Sequence, residues 1–378
     1  MHQPTIDVYE REAGAYAVRR GVQRPERAEA FADAVPAGRL RLDLGCGPGH
    51  YLPLLGRPAV ATDAAAAMVR EASRACPEVP GVQADLAHLP FDRHAFGGVW
   101  ASKAHQHVPA TELPMALAEV HRVLAVGGRL DLTVFAPSGP PGTREEVTEF
   151  GSGDDLPGRW FTWWDPDHLE QVVAAAGFHV DAVEVADPRD EHDAARIDLT
   201  ATAERRLPDH VGPDMRLLCC GLNPSLHAAD AGVGYVTANN RFWPALVAAG
   251  LTDRLRDNRH LLFEHHIGMT DLVKRATPRA SELTTAEYRE GRARLARLCD
   301  WLRPGAVAVN GLAGWRAAVD RKAAIGWQPE PLGEDGTPVY VLPSTSGLNA
   351  RVPLLELAEH LSIAAAGPIA GEARVNRA

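Results

Sequence analysis

The sequence predicts an α/β protein of two domains, each built on a mostly parallel sheet. Two stretches carry this prediction: RLRLDLGCGPGH at residues 39–50 and MRLLCCGLNPSLH at residues 215–227, where an apolar run ends abruptly in a tight turn. The length agrees, because a chain of 378 residues exceeds the ~250–300 residues at which a single core stops growing. We therefore expect each turn to lie at the active site of a different α/β domain.

Composition narrows the functional class. An apolar content of 46% with 23% charged residues is typical of a soluble globular protein, and no apolar run approaches the roughly 20 residues that span a membrane. The first residues, MHQPTIDVYEREAGAY, lack the apolar segment of a signal peptide. The five cysteines form no C-x-x-C cluster, which argues against a zinc site, an iron–sulfur cluster or a disulfide framework. We expect a cytoplasmic protein with no membrane partner and no metal.

The net charge of −10 is unevenly distributed along the chain. Residues 1–209 carry 20 Lys and Arg against 32 Asp and Glu, whereas residues 210–378 carry 19 against 17. The resulting net charges are −12 and +2. The surplus of negative charge lies in the first part, so the second part could present a basic face to phosphates.

Residues 40–135 alternate short β-like runs with helical stretches. The helical stretches AAAAMVREASRA and ELPMALAEVHRVLAV have apolar residues at spacings of three and four, and the β-like runs are LRLDL, AVATD, GVQAD, GGVWAS and RLDLTVF. This alternation predicts a mostly parallel, doubly wound sheet. A further helix at DPDHLEQVVAAAGF and runs at HVDAVEV and IDLTATA extend the first domain over residues 1–206.

The rest of the chain is predicted to be a linker, a second domain and a tail. The segment RLPDHVGPD holds two prolines and a glycine, which predicts a linker at residues 207–214. A second alternating pattern predicts a smaller α/β/α domain at residues 215–362. Residues 363–378 lack periodicity and are predicted to be loose.

The first turn, DLGCGPG, places Gly45, Gly47 and Gly49 directly after a strand. Glycines let the backbone turn tightly and approach a ligand, and the helix that follows offers free N–H groups. Asp63 ends the next strand, 20 residues after Asp43. An acidic residue at this position can bind the hydroxyl pair of a ribose.

These features occur together with Asp85 in QADLAHLPF and with the segment EVHRVLAVGGRLDLTVF. In this combination, residues 30–206 resemble the class I S-adenosylmethionine-dependent methyltransferases, whose sheet is Rossmann-like. The resemblance implies that the glycine turn borders the methionine part of S-adenosylmethionine and that Asp63 holds its ribose. It also implies that Asp85 and Leu86 contact the adenine, and it places Asp43 in the same cofactor site.

The methyl acceptor is not identified by the sequence. His105 and His107 in WASKAHQHVP occupy a position that often faces the acceptor in this family. Either histidine could be a general base, or both could form hydrogen bonds within the fold. The tryptophans of RWFTWWDPDHL could form a stacking platform or a packing cluster: Trp160, Trp163 and Trp164.

The second turn, GLNPS, predicts a different chemistry. It lacks a second glycine at the spacing of a nucleotide fold, and it projects Asn223 from a strand end that Pro224 stiffens. A carboxamide is neutral, so it can orient a water molecule without taking its proton fully. This property suits a dissociative reaction in which the electrophile is already cationic.

The turn is followed in order by GVGYVTANNRFWPAL, IGMTDLVKRATPRASEL and YVLPSTSGLNAR. With these motifs, residues 215–360 resemble the mismatch-specific uracil-DNA and thymine-DNA glycosylases of the uracil-DNA glycosylase superfamily. The resemblance implies that Asn223 positions the attacking water and that Tyr235 stacks on a flipped pyrimidine. It also implies that Leu222 contacts the base edge.

The segment SGLN would then be a wedge loop. Ser346 and Gly347 would shape this loop, Leu348 would enter the duplex, and Arg351 would follow close behind. Extruding a base costs a few kcal/mol, less at a mismatch, and an apolar side chain can fill the gap. Asp271 could accept from the ring N–H of uracil or help to activate water, or it could be an acid stabilised at the N-terminus of a helix.

The sequence thus predicts a bifunctional enzyme. Its second domain would hydrolyse the N-glycosidic bond of uracil, or a related pyrimidine, mispaired with guanine in double-stranded DNA. Its first domain would transfer a methyl group from S-adenosylmethionine to an unknown acceptor. The alternative is a methyltransferase whose C-terminal domain only binds DNA.

Overall fold

The computed structural model describes residues 2–137, 142–147, 156–188, 194–347, 349 and 351–368, with 144–147 described by their backbone alone. The chain divides into two compact units, Met1–Glu204 and Arg205–Ala378. Both are mixed α/β, in agreement with the predicted fold class. No helix among the described residues is long and apolar enough to cross a membrane.

The first unit is a nine-stranded sheet with helices packed against it. The strands within the described ranges are β1 (Arg41–Leu44), β2 (Ala59–Asp63), β3 (Gly81–Gln83), β4 (Phe96–Ser102), β5 (Leu124–Phe135), β6 (Arg144–Val147), β7 (Trp160–Trp163), β8 (Phe178–Ala186) and β9 (Arg196–Ala203). The helices there are α1 (Gln3–Arg19), α2 (Pro25–Ala34), α3 (Ala66–Ala75), α4 (Leu113–Val123) and α5 (Pro166–Ala175).

The strand order of this sheet, β3-β2-β1-β4-β5-β7-β6, creates a crevice at its centre. Strand β1 pairs in parallel with β2 on one side and with β4 on the other, and all four of its residues are buried. From β1 the chain continues to β2 and β3 on one side of the sheet and then returns to β4 on the other side. The carboxyl end of β1 is therefore a topological switch point, and open α/β sheets bind ligands at such points. Strands β8 and β9 are antiparallel and extend the sheet beside β5.

The second unit contains a five-stranded sheet in the order β11-β10-β12-β14-β13. Its strands are β10 (Leu217–Gly221), β11 (Ile267–Asp271), β12 (Val307–Asn310), β13 (Gly326–Trp327) and β14 (Val339–Leu342). Its helices among the described residues are α6 (Leu226–Ala231), α7 (Phe242–Ala248), α8 (Asn258–His265), α9 (Thr285–Leu302), α10 (Leu312–Ala318) and α11 (Leu354–Ala366). Among the described strands of this sheet, four are parallel and β13 is antiparallel, so the carboxyl ends of β10, β11, β12 and β14 meet at one edge.

Residues 207–214, predicted to be a linker, pack against the sheet of the second unit. His210 exchanges backbone hydrogen bonds with Met269 of β11, at N–O distances of 2.9 and 2.8 Å. Leu207 and Val211 are also buried. Proline and glycine indicate a break in regular structure, but they do not prevent such a segment from packing on a sheet edge.

Asp209 ties the same segment to the second unit by buried ion pairs. Its carboxylate accepts hydrogen bonds from Nζ of Lys274 at 2.6 Å and from a guanidinium nitrogen of Arg294 at 2.8 Å. Burial opposes ionisation of Asp209, but the two cations outweigh it and lower the pKa of this carboxyl. At the other end of the unit, α11 runs to Ala366, so the first residues of the predicted tail 363–378 are helical.

Candidate functional sites

The glycine turn after β1 has the backbone conformation that its sequence predicts. Gly45, Gly47 and Gly49 have φ values of 74°, 52° and 82°. A Cβ atom at Gly45 would also lie 2.2 Å from Cβ of Ala104, so a larger residue would be strained and would collide. The backbone nitrogen of Gly45 donates to the carbonyl of Thr62 at 2.7 Å, which fixes the turn against the end of β2.

Asp63 connects this turn to the start of the next helical segment. One carboxylate oxygen accepts from the backbone nitrogen of Gly47 at 3.0 Å, and the other accepts from Ala65 at 2.9 Å. Burial raises the pKa of Asp63 to about 6, although these hydrogen bonds counteract the rise. Each carboxylate oxygen has two acceptor positions, so Asp63 can still receive ribose hydroxyls.

A cleft with about 600 Å³ of empty space, partly open to solvent, lies at this switch point. Four residues predicted to bind the cofactor line it: Gly45, Gly47, Asp63 and Leu86. The other lining residues are Thr5, Ile6, Tyr9, Tyr16, Ala64, Ala65, Met68, Ser102, Lys103, Ala104 and His107.

Three residues predicted for the cofactor site do not line the cleft. Asp43 is 2% exposed, and its Oδ2 has no hydrogen-bond partner among the described residues. Burial, together with the charge of Asp63, raises the pKa of Asp43 to about 8. Gly49 packs against α3, and Oδ1 of Asp85 accepts from the backbone nitrogen of Ala87 at 2.8 Å. The cofactor contacts of Asp43, Gly49 and Asp85 stay predictions.

The N-terminal helix α1 supplies a wall of the cleft that sequence reasoning missed. The hydroxyl of Tyr9 contacts Nε2 of His107 at 2.9 Å and accepts from Arg159 at 3.0 Å. Tyr16 lies on the same face of the helix, and the two tyrosine rings meet edge to face at 5.6 Å. Aromatic residues seven positions apart were the available signal, because this spacing places both on one helix face.

The two histidines have the character of buried structural residues. His107 donates from Nδ1 to the carbonyl of Trp160 at 2.7 Å, so its Nε2 accepts from Tyr9. Burial lowers the pKa of His107 to about 3, although the hydrogen bond to Trp160 opposes this shift. Burial also lowers the pKa of His105 to about 4. His107 thus forms the hydrogen bonds within the fold that the structural interpretation predicts, whereas neither ring nitrogen of His105 has a hydrogen-bond partner among the described residues. Such low pKa values make both imidazoles weak bases.

The tryptophan cluster also favours packing over stacking on an acceptor. Trp163 and Trp164 are buried, and Trp163 lies in β7 with its ring stacked near Phe135. Trp160 is only partly buried, and its carbonyl holds His107. The cluster therefore belongs to the core of the first unit.

Asn223 follows β10 and is held in place by its amide nitrogen. Nδ2 lies 2.7 Å from Oγ1 of Thr277, 3.1 Å from the carbonyl of Arg275 and 3.2 Å from the carbonyl of Pro224. No hydrogen bond within the described part of the chain uses Oδ1 of this residue. The carboxamide is thus oriented by acceptors around its nitrogen, which leaves its oxygen as the group available to a ligand or a water molecule.

The segment around Asn223 is hydrogen-bonded to the loop after β11. Leu222 is partly buried and its carbonyl accepts from the backbone nitrogen of Val273 at 3.0 Å. Ser225 caps α6 by accepting from the backbone nitrogen of Ala228 at 3.1 Å. This cap gives a structural reason for serine at the end of the turn.

Tyr235 and Asp271 meet at the first residue of the turn. A Cβ atom at Gly221 would lie 2.2 Å from Oδ1 of Asp271 and 3.0 Å from the hydroxyl of Tyr235, so only glycine permits this approach. Burial raises the pKa of Asp271 to about 6. Burial and the charge of Asp271 raise the pKa of Tyr235 far above its ordinary value.

Tyr235 and Asp271 also line a small pocket, of about 10 Å³, together with Leu207 and His210 from the segment predicted as a linker. One face of the Tyr235 ring stacks on Phe242, with centroids 3.9 Å apart. Asp271 is the last residue of β11 and is paired with Gly221, so it does not lie at a helix N-terminus. The interpretation of Asp271 as a helix-capping acid is therefore wrong.

The loop after β14 is anchored by polar side chains from other parts of the second unit. Asn310, the last residue of β12, donates from Nδ2 to Oγ1 of Thr345 at 2.8 Å and accepts from its backbone nitrogen at 3.1 Å. Oγ1 of Thr345 in turn donates to Asn240 at 3.1 Å. Arg241 donates to the carbonyl of Asn349 at 2.6 Å and also to that of Val352.

The predicted wedge residues lie in or beside this anchored loop. Ser346 and Gly347 are partly buried, and Gly347 packs closely against Asn239. Arg351 is exposed. Leu348, the predicted wedge, lies outside the described residues.

Two family models match the chain, one for each unit. Residues 42–132 match a methyltransferase domain, and residues 208–361 match the uracil DNA glycosylase superfamily. The chain carries a methyltransferase domain followed by a uracil DNA glycosylase superfamily domain. The match of the glycosylase-superfamily domain begins at residue 208, so it includes the segment that packs on β11.

Solved structures similar to the methyltransferase domain each cover about half of this chain. One is the 1,6-didemethyltoxoflavin-N1-methyltransferase of Burkholderia thailandensis, with 21% identity, a TM-score of 0.39, and coverage of 48% of this chain and 78% of that one. Another is a putative methyltransferase in complex with the Trm112 activator of Haloferax volcanii, with 18% identity, a TM-score of 0.41, and coverage of 53% and 96%. A third is a methyltransferase of Methanosarcina mazei, with 16% identity, a TM-score of 0.41, and coverage of 49% and 99%.

In the glycosylase-superfamily domain, the chemically useful groups gather at one sheet edge. Asn223 follows β10, Asp271 ends β11, Asn310 ends β12, and Thr345 follows β14. Parallel strands direct their carboxyl ends to the same edge, which explains why residues far apart in sequence meet there. The edge offers neutral carboxamides and one carboxylate with a raised pKa.

Proposed function

We propose that the glycosylase-superfamily domain hydrolyses the N-glycosidic bond of uracil, or of a related pyrimidine, mispaired with guanine in double-stranded DNA. We further propose that the methyltransferase domain transfers a methyl group from S-adenosylmethionine to a second substrate. The two proposals concern separate sites and are tested separately.

The observation that supports the glycosylase proposal best is the fixed orientation of Asn223. Its Nδ2 is within hydrogen-bond distance of three acceptors, two of which are main-chain carbonyls. A side chain held in this way keeps its oxygen in place without reorganisation when a substrate arrives. Preorganised polar groups of this kind account for much of the rate enhancement of enzymes.

The proposed reaction breaks the bond between the sugar and the base. Positive charge develops on the sugar while the base leaves as an anion, so water needs orientation more than full deprotonation. The carbonyl oxygen of Asn223 accepts a hydrogen bond from this water, and the water oxygen attacks the anomeric carbon. The water proton then passes to solvent or to the departing base.

Asp271 and Tyr235 are proposed to receive the flipped base. Asp271 has a pKa of about 6 and is mostly ionised at pH 7, so it can accept from the ring N–H of uracil. Tyr235 contributes an aromatic ring that is braced from behind by Phe242. Leu222 is proposed to contact the base edge. The proposed contacts to the duplex come from the wedge loop and the residue behind it: Ser346, Gly347, Leu348 and Arg351.

The cleft of the methyltransferase domain suits S-adenosylmethionine. Gly45 and Gly47 line the cleft with backbone that carries no side chain, and Asp63 retains acceptor positions for a ribose. When bound, the cofactor supplies an electrophilic methyl group. The chain itself would bind the ribose through Asp63, enclose the adenosine beside Leu86, and exclude water with Tyr9 and Tyr16 of α1.

The glycosylase proposal is tested by single-turnover excision from a labelled duplex that contains a G·U pair, with abasic sites revealed by alkali. We expect Asn223→Ala to bind the duplex within a few-fold of the parent and to excise uracil roughly a hundredfold more slowly, as for the loss of one well-placed catalytic hydrogen bond. Gln328→Ala is the matched control, because it removes a carboxamide that contacts carbonyls beside the antiparallel strand β13. Excision by Asn223→Ala at the parent rate would remove this residue from the mechanism.

The alternative, a domain that only binds DNA, predicts a different pattern. The parent would bind duplexes with an affinity that falls as salt rises, because phosphate contacts release counterions, but it would excise no mispaired pyrimidine. Nothing in pure DNA binding requires a carboxamide fixed by three acceptors at a strand end. This requirement is why catalysis is the preferred proposal.

A further inference from the structure

Three potential metal ligands converge in the second unit, away from the sites above. They are Asp253, in the loop before α8, and His260 and His265, both within α8. Nε2 of His260 lies 2.5 Å from Oδ1 of Asp253 and 3.2 Å from Nε2 of His265. Nε2 of His265 lies 3.5 Å from the same carboxylate oxygen.

These separations are close to those of a tetrahedral metal site. Zinc binds imidazole nitrogen and carboxylate oxygen at roughly 2.0–2.2 Å, so ligand atoms around a tetrahedral ion lie about 3.3–3.5 Å apart. The separation of 3.5 Å lies in this range, that of 3.2 Å is just below it, and the third, 2.5 Å between His260 and Asp253, is clearly shorter. Widening it requires movement of the side chain of Asp253, which is 74% exposed and therefore has room to move.

The three donor atoms converge on one point. Nε2 of His260 and Nε2 of His265 both lie near Oδ1 of Asp253 and near each other. A neutral imidazole carries its hydrogen on either ring nitrogen, so each Nε2 presents a lone pair when the hydrogen is on Nδ1. A cation at the centre would accept a lone pair from each nitrogen and would neutralise the carboxylate.

We propose that Asp253, His260 and His265 bind one divalent transition-metal ion, with Zn²⁺ as the best match, and that water completes the coordination. Imidazole nitrogen favours zinc, nickel and copper, whereas magnesium and calcium favour all-oxygen sites. The expectation of no metal rested on the absence of paired cysteines, which does not bear on a donor set of histidine and aspartate.

The position of the cluster indicates a structural role. His265 lies two residues before β11 begins at Ile267, whereas Asp271 ends the same strand at the edge proposed for base excision. The cluster therefore lies toward the opposite edge of the sheet. A bound ion would tie the end of α8 to the loop that contains Asp253, and the proposal does not depend on the glycosylase activity.

The test uses the full chain, stripped of metal by a chelator and then dialysed against Zn²⁺. Bound metal is measured by mass spectrometry, and affinity is measured by calorimetry. We expect one zinc ion per chain, with affinity reduced roughly tenfold or more by either His260→Gln or His265→Gln, and no comparable binding of Mg²⁺. Zn²⁺ should also raise the melting temperature of the parent more than that of these variants, because a ligand of the native state stabilises it.

His266→Asn is the matched control. His266 is adjacent and exposed but is not part of the cluster, and asparagine tolerates its φ of 56°. Asp253→Asn, at an exposed position, tests the third ligand with little risk to folding. Failure of the parent to bind Zn²⁺ at micromolar concentrations would overturn the proposal, as would equal zinc affinity in the parent, His260→Gln and His265→Gln.

Discussion

The amide nitrogen of Asn223 lies 2.7 Å from Oγ1 of Thr277, across 54 residues of sequence. Thr277 is 3% exposed, and its hydroxyl donates to the carbonyl of Arg279 at 3.0 Å. Its backbone nitrogen also donates to the carbonyl of Pro224 at 3.1 Å. Thr277, in the loop after β11, thereby helps to orient the side chain of Asn223, which follows β10.

Thr277→Val should slow excision without abolishing it. Valine matches threonine in shape but cannot accept from Asn223, so the carboxamide would keep two of its three acceptors. We expect the single-turnover rate on a G·U duplex to fall about tenfold, less than for Asn223→Ala, with duplex affinity unchanged. Thr252→Val serves as the control, since Thr252 is also buried but its hydroxyl contacts the backbone of Arg254 and no part of the site. Equal rates for Thr277→Val and the parent would show that this hydrogen bond does not orient Asn223.

Asn223→Asp tests whether the nitrogen or the oxygen of the carboxamide matters. A carboxylate cannot donate to the carbonyls of Pro224 and Arg275, and it would be repelled by both. We therefore expect excision by Asn223→Asp to be no faster than by Asn223→Ala, measured in the same assay. A rate above that of the parent would instead mean that a carboxylate at this position acts as a general base.

Asp63→Ala should weaken the binding of S-adenosylmethionine, measured by calorimetry. The loss of a charge-assisted ribose contact should cost about 1.5–3 kcal/mol. Asp63→Asn provides the comparison, because it keeps one acceptor oxygen for Gly47 or Ala65 and should retain part of the affinity. Unchanged affinity in Asp63→Ala would place the ribose elsewhere in the cleft.

Asp43→Asn should make stability less dependent on pH. The pKa of Asp43 is about 8 in the fold against an ordinary value of 3.8, so the native state favours the protonated form. Its contribution to the free energy of unfolding is fully present below pH 3.8 and is lost as the pH rises through about 8. We expect Asn to raise stability at pH 8 by about 1–3 kcal/mol and to have little effect at pH 4. Calorimetric melting of the full chain at both pH values measures this, and an equal change at both would contradict it.

Local sequence signals predicted the parts of each site that depend on local geometry. The positive φ values of Gly45, Gly47 and Gly49 follow from residue type and position after a strand, and Asn223 was found because Pro224 restricts its turn. The contacts that complete the sites join distant residues instead. Tyr9 and His107 are 98 residues apart, and nothing in the sequence near either residue indicates that they are in contact.

The segment containing Asp209 shows a second reason why sequence reasoning was incomplete. Its two prolines and glycine indicate a break in secondary structure, and a linker was the simplest interpretation. The stabilising partners of Asp209, Lys274 and Arg294, lie 65 and 85 residues further along the chain. Only the folded arrangement shows that this segment is part of the second core.

Arg241 has a consequence for how such domains can be recombined. Its side chain donates to the carbonyls of Asn349 and Val352, and its backbone nitrogen donates to that of Thr345. The shape of the loop is thus encoded more than 100 residues before the loop itself. A chimera that receives residues 344–352 without this arginine would have the loop sequence but would lack the hydrogen bonds that hold the loop. The loop and Arg241 should therefore be transferred together.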